Sequence, residues 1–378
     1  MNVRTAIFSL LFPTATILAA ASTPAAVRLP WNFPQLIPDD SAVSIVVFMD
    51  DTRSSQVHAA AARPGLHRAD RIRRVSKLLR SQQVPGASAV EGFLTQHAIT
   101  KPTRYWIAPA FAATVPASAI DKLLQMPGVK KVIPDARIEL VTPVDMSPSP
   151  SLAAGITDAL KVLHVPSLWQ QGLTGQGRLV ASFDTGVRYD HPALLPKWRG
   201  QHASLSASWF STMTPNTPPA DKTGHGTHTM GIMVGSAGAD TVGVAPGAEW
   251  ITAGVIDQGR DLGGTISDIL AAFQWVLDPD GNPNTTDDVP DVILNSWGIP
   301  AGLFGDCDDT FWQVIDNVEA AGIVTIFAAG NEGPNPKTVR APANRPTSPL
   351  NTFAVGAVAN DGTIASFSSR GPSLCDTT

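Results

Sequence analysis

Three short stretches of this 378-residue chain close on side chains suited to moving protons or holding charge. Leu179-Val180-Ala181-Ser182-Phe183-Asp184 is an apolar run ending in a carboxylate. Asp221-Lys222-Thr223-Gly224-His225-Gly226-Thr227-His228 sets a histidine between glycines, a pattern that suits a tight turn opening a helix because glycine permits positive φ and close backbone approach. Ile323-Val324-Thr325-Ile326-Phe327-Ala328-Ala329-Gly330-Asn331 is a second apolar run, ending in an amide. In open parallel sheets, functional side chains gather beyond the carboxyl ends of the strands. There Asp184 would hold the imidazole tautomer, His225 would act as base and then acid, and Asn331 would donate to a developing oxyanion. One histidine in a glycine-rich turn is more often structural than catalytic; the two strand ends make His225 a candidate for acyl transfer.

Other chemistries fit less well. His225 and His228 are three residues apart, without an H-E-x-x-H helix or a clear third ligand besides Asp184, so a zinc hydrolase explains the stretch poorly. A net charge of -5 gives no basis for nucleic-acid binding. Neither Cys307 nor Cys375 has a flanking histidine of thiol-protease type, so their expected role is structural, and an even count permits one bridge between them.

The elements that would position these groups follow from periodicity. Thr265 to Leu277 places Ile266, Ile269, Leu270, Phe273, Val276 and Leu277 at core-facing helical spacing. Upstream, Val43 to Met49 reads as a strand, followed by a basic helix with Ile72, Val75, Leu78 and Leu79 on one face. Its arginines are expected to be a solvated face. Tyr105-Trp106-Ile107 and Phe111 to Val115 read as strands, Ser118 to Gln125 as a helix with a serine cap, and Val129 to Ile133 as a last strand. Strand, helix, strand, strand, helix, strand is a ferredoxin-like α+β unit. Residues 1–26 carry Arg4 and then an apolar run ending in Ala19-Ala20-Ala21, the pattern of a secretory signal and too short for a stable membrane anchor.

At its three chemical stretches the sequence resembles the subtilisin-like serine proteases (peptidase S8), with D-T-G-V at Asp184, G-H-G-T-H at His225 and A-A-G-N at Asn331. Gly243-Val244-Ala245-Pro246-Gly247, Asn295-Ser296-Trp297-Gly298 and Phe367-Ser368-Ser369-Arg370-Gly371-Pro372 extend the likeness, which is strongest to the bacillopeptidase F branch. The resemblance implies an α/β fold, a three-layer domain with a mainly parallel sheet over residues 156–378. The ferredoxin-like unit at 40–140 would then be an inhibitor I9-type propeptide, at once intramolecular chaperone and inhibitor, whose basic helix would favour docking on a more acidic catalytic part by a modest, screened attraction, and 141–155 the linker and maturation region. It implies a secreted endopeptidase acting on polypeptide substrates, with Gly263 and Gly264 forming one wall of the cleft and Ser296, Trp297 and Gly298 the other. Glu332, beside Asn331, would tolerate a basic side chain.

The family's serine lies in G-T-S-M-A, which does not occur between Phe367 and Thr378. The chain therefore reads as a fragment lacking its nucleophile and inactive as it stands; the alternative is a catalytically inactive peptide-binding or inhibitory module. No cofactor is required by this reading. Ala193 replaces the aspartate that many calcium-binding relatives carry, whereas Asp278 to Asp288 crowds oxygen ligands into one loop, a candidate calcium site despite an incomplete EF-hand pattern.

Overall fold

The computed structural model describes residues 40–81, 83–142, 155–258, 264–300, 302–346 and 353–375. The expected signal at 1–26, Gly263 and most of the expected linker lie outside the described residues. From the N-terminus run β1 (Ala42–Met49), α1 (Ser54–Ala61), α2 (Arg68–Ser81), α3 (Ala87–His97), β2 (Thr103–Tyr105), β3 (Ala110–Pro116), α4 (Ile120–Leu124) and β4 (Val129–Pro134). These strands form an antiparallel sheet in the order β2-β3-β1-β4. That is the ferredoxin-like order, and the β-branched run Val43 to Val47 suits the central strand β1, whose second half is buried.

Local details depart from the sequence reading. Trp106 and Ile107 lie in the turn after β2, where the chain reverses into β3. Ser118 does not cap a helix: a 3-10 turn at Ala117–Ala119 feeds α4, and no side chain accepts from its first amides. The arginines of α2 are not merely solvated. Arg68 donates to the carbonyls of Val289 and Pro290, Arg73 to that of Asn284, and Arg80 to the Asp278 carboxylate.

The chain then forms β5 (Glu139–Leu140), α5 (Asp158–Val162), α6 (Val165–Gln170), β6 (Leu179–Asp184), β7 (Trp209–Phe210), α7 (His225–Val234), β8 (Ser236–Ala237), β9 (Asp240–Thr241) and β10 (Glu249–Gly254). It ends with α8 (Ile266–Trp275), β11 (Val292–Asn295), β12 (Trp297–Gly298), α9 (Trp312–Ala320), β13 (Val324–Ala328) and β14 (Phe353–Val355). Six of these strands make a parallel sheet ordered β14-β13-β11-β6-β10-β7. The three layers are visible in its packing. Ala181, Phe183 and Phe327 pack with Phe273 of α8 and Val314 and Val318 of α9, whereas Trp250 and Val187 pack with Met230 and Val234 of α7. Val57 of α1 and Ile72, Val75 and Leu79 of α2 belong to the same apolar cluster as α8 and α9, so the N-terminal unit shares a core with the larger sheet.

The runs 292–294 and 323–327 are not buried on both faces. Ile293, Thr325 and Phe327 are buried, but Val292, Leu294 and Ile326 are partly exposed and Val324 is 39% exposed, so among the described residues this half of the sheet is covered fully on one face only. Cys307 and Cys375 are joined, with Cα atoms 5.3 Å apart, which ties the approach to α9 to the far end of the described chain.

Candidate active site

Asp184 is the last residue of β6, in the middle of the sheet, and is buried. Its carboxylate accepts from the Thr185 amide at 2.7 Å and from Thr229 Oγ1 at 3.2 Å, which fixes its orientation before any imidazole arrives. His225 opens α7 behind Gly224, whose φ of 85° is the left-handed conformation expected of glycine at that turn. Asp221 builds the turn. It accepts from the amides of Thr223, Gly224 and Thr227 and from the hydroxyls of Thr185 and Thr227, and those bonds hold its carboxyl below the usual carboxylate range against the opposing effect of burial.

The two elements bring His225 Nδ1 to 2.7 Å from Asp184 Oδ1. On the other side of the ring, Nε2 faces the Val141 carbonyl oxygen at 3.3 Å. Both ring nitrogens thus face acceptors, a setting that favours the doubly protonated ring. Burial works against the imidazolium, but the Asp184 hydrogen bond and charge, the Val141 carbonyl and the Asp221 charge outweigh it, so the imidazole pKa lies above its ordinary value. Among the described residues no serine hydroxyl is bonded to Nε2.

Asn331 follows β13 and donates from Nδ2 to the Thr142 carbonyl at 2.6 Å. Residues 135–142 therefore lie across the carboxyl ends of the strands. Along one wall, β5 pairs antiparallel with β12, Leu140 opposite Trp297 and Glu139 opposite Gly298, and Val141 donates its amide to the Ser296 carbonyl at 2.9 Å. Along the other, the Thr265 amide donates to the Ala136 carbonyl, and Ile138 donates to Thr265 Oγ1. A Cβ on Gly264 would stand 2.3 Å from the Asp135 carbonyl oxygen, so only glycine permits that approach. The Trp297 side chain is fully buried against Phe311 and Phe327, which anchors the wall whose backbone does the pairing.

The sequence model described as "Subtilase family" matches residues 175–378, more than half of the chain. The chain belongs to the subtilase family. It is 35% identical to bacillopeptidase F of Bacillus subtilis (strain 168) over 294 residues, 72% of this chain and 20% of that protein. It is 33% identical to the serine protease AprX of the same strain, over 54% of this chain and 45% of that protein. With subtilisin E of that strain the identity is 32%, over 70% of this chain and 60% of that protein. The matched stretch is therefore less than two thirds of the length of each of these relatives.

Of the residues anticipated for a subtilase site, Asp184, His225, Asn331, Gly264, Ser296, Trp297 and Gly298 converge on the seated segment. His228 is exposed, and among the described residues Asp184 is the one carboxylate partnering His225, which leaves the zinc reading without a ligand set there. Glu332 does not present a free charge to a substrate: Arg340 pairs with it and Ser369 donates to it. Thr265, Asp221 and Thr229 were not anticipated. Asp221 had a legible signal, because an aspartate four residues before a helix-opening histidine is placed to accept from successive turn amides. Thr265 had none, since its role depends on the extended segment at Ala136 and Ile138, over a hundred residues away.

Proposed function

We propose that this site hydrolyses peptide bonds in polypeptides by the serine-protease route, with Asp184 orienting His225, His225 as general base and then acid, and Asn331 as oxyanion donor. The nucleophile is a serine that the 378 residues do not supply in the family motif, so this chain by itself is inactive. The observation that carries the reading is the segment 139–142, which already lies in the cleft as an extended peptide, with successive carbonyls at His225 Nε2 and Asn331 Nδ2. An acyl donor must take this pose. Its backbone pairs with a strand, one donor is aimed at the oxygen that gains charge, and the base lies beside the carbon to be attacked. Residues 40–140 then act as a propeptide that fills the cleft with its own C-terminal strand, and 141–155 as the maturation region. The apolar run of residues 1–26 and the joined cysteines support secretion.

The test is expression of the open reading frame past residue 378, followed by casein hydrolysis and fluorophosphonate labelling, alongside the 378-residue chain. The longer product should be labelled at one serine, and Asp184→Asn should lower its turnover about 10⁴-fold. Labelling of a serine within the 378 residues, or hydrolysis that survives His225→Ala, would refute the proposal. Peptide binding without labelling in either form would favour the inactive binding module.

A further inference from the structure

The loop between α8 and β11 holds a group of carboxylates with no part in the cleft. Asp278, Asp280 and Asp288 each bring one carboxylate oxygen to within 4.8 Å of the other two. Asp288 is only 4% exposed; its Oδ2 accepts from the Asp280 amide at 2.9 Å, while its Oδ1 is buried without a donor. Asp278 Oδ1 is likewise buried without a donor. A buried acceptor left unpaired is unfavourable, and the carboxylates grouped around it repel one another. Two buried carboxylate oxygens of the group, one on Asp278 and one on Asp288, thus have no donor.

Two arginines approach it. Arg199 pairs with Asp287, outside the trio, and also with Glu249. Arg80, on α2 of the N-terminal unit, pairs with Asp278 through Oδ2. The ligand chemistry is all oxygen, with no imidazole or thiolate, and the loop Asp278-Pro279-Asp280-Gly281-Asn282 adds amide and carbonyl oxygens, the donor set of a hard cation with six to eight ligands.

We propose that Asp278, Asp280 and Asp288 form a calcium site, and that Arg80 of α2 occupies one oxygen of it while the N-terminal unit is docked. Calcium and α2 then compete for Asp278, in charge as well as in ligand. Because linkage is reciprocal, calcium loosens α2 by the same factor by which docked α2 weakens calcium. The site is independent of the peptide-hydrolysis reading, since none of its residues touches the cleft.

The test uses the chelator-treated full chain, titrated with terbium under tryptophan excitation, with Trp275 three residues before Asp278 as sensitiser, and then back-titrated with calcium or magnesium. One terbium should bind per chain and be displaced by calcium at much lower concentration than by magnesium. Asp280→Asn, at an exposed position, and Asp288→Asn should each abolish the bound ion while near-ultraviolet circular dichroism is retained. Arg80→Gln should tighten calcium binding by at least about fivefold, the low end of ordinary coupling. Absence of saturable binding, unchanged binding in Asp280→Asn, or equal displacement by magnesium would overturn the calcium site. Unchanged or weaker binding in Arg80→Gln would overturn the competition.

Discussion

Replacing Asp309 with asparagine should loosen the N-terminal unit from the sheet. Its carboxylate accepts from Lys130 Nζ at 2.5 Å and Lys131 Nζ at 2.6 Å, both on β4, so it is a hinge of charge between the two parts. Burial alone would raise its pKa; the charge and hydrogen bonds of the two lysines instead bring it from 3.8 to about 2. At about 1.4 kcal/mol per unit, that difference corresponds to roughly 2.5 kcal/mol of preference for the docked, ionised state. The side chain is 33% exposed, so screening reduces this to about 1–2 kcal/mol, or about five- to thirtyfold in the docking equilibrium. A depressed carboxylate pKa contributes stability that is fully present above pH 4 and is lost as pH falls towards 2. Native-state hydrogen exchange of the β1 and β4 amides in the full chain measures it. Asp309→Asn should speed their exchange by that factor at pH 7, and the gap from wild type should close towards pH 2. Equal exchange at pH 7, or a gap that stays constant down to pH 2, would refute the reasoning.

Three further outcomes are expected. His225 should titrate above its ordinary value, and Asp184→Asn should lower its midpoint when the imidazole signals are followed by nuclear magnetic resonance; the stabilisation from this pair is present below about pH 6.5 and is lost as pH rises through the raised value. Burial holds the Asp268 carboxyl up to about 6, with the nearby Asp135 charge adding to it and a Thr212 hydrogen bond opposing it, so its ionisation opposes folding as pH rises from about 4 to 6. Asp268→Asn should remove that loss, and melting curves of wild type and variant should diverge by about 1–2 kcal/mol across the window and run parallel outside it. Reduction of the Cys307–Cys375 bridge, which spans 68 positions, should lower stability by about 4 kcal/mol on the loop-entropy estimate, as read from denaturant midpoints with and without reductant.

The site was legible because its chemistry sits where local sequence dictates local shape. An apolar strand ending in Asp184 and a glycine-flanked His225 specify a strand end and a helix start, and a parallel sheet brings such ends together. The missed features depend on partners remote in sequence. The charge of α2 suggests a docking face, but not its partners: the acceptors of Arg68 and Arg73 are backbone carbonyls more than two hundred residues away, which no pattern of side-chain types reveals. α1 escaped notice because alanine-rich Ser54–Ala61 buries only Val57 and Ala61, so its periodicity is faint; α3 buries Val90, Phe93 and Leu94 at helical spacing, a signal that was legible and was passed over. Which faces of β13 are covered is not legible either, since apolar β-branched runs look alike whether one or both faces are covered.

The pairing of β5 with β12 has a consequence in solution. Because Glu139 and Leu140 are covalently attached to the body they pair with, the cleft sees them at an effective concentration on the order of millimolar, whatever the concentration of the chain. For a free peptide of equal intrinsic affinity at micromolar concentration, the ratio of filled to empty clefts would be about a thousandfold lower. Scission anywhere in residues 143–154 would make the occupant a separable partner once its remaining contacts let go, so occupancy that had been immune to dilution would begin to fall with it.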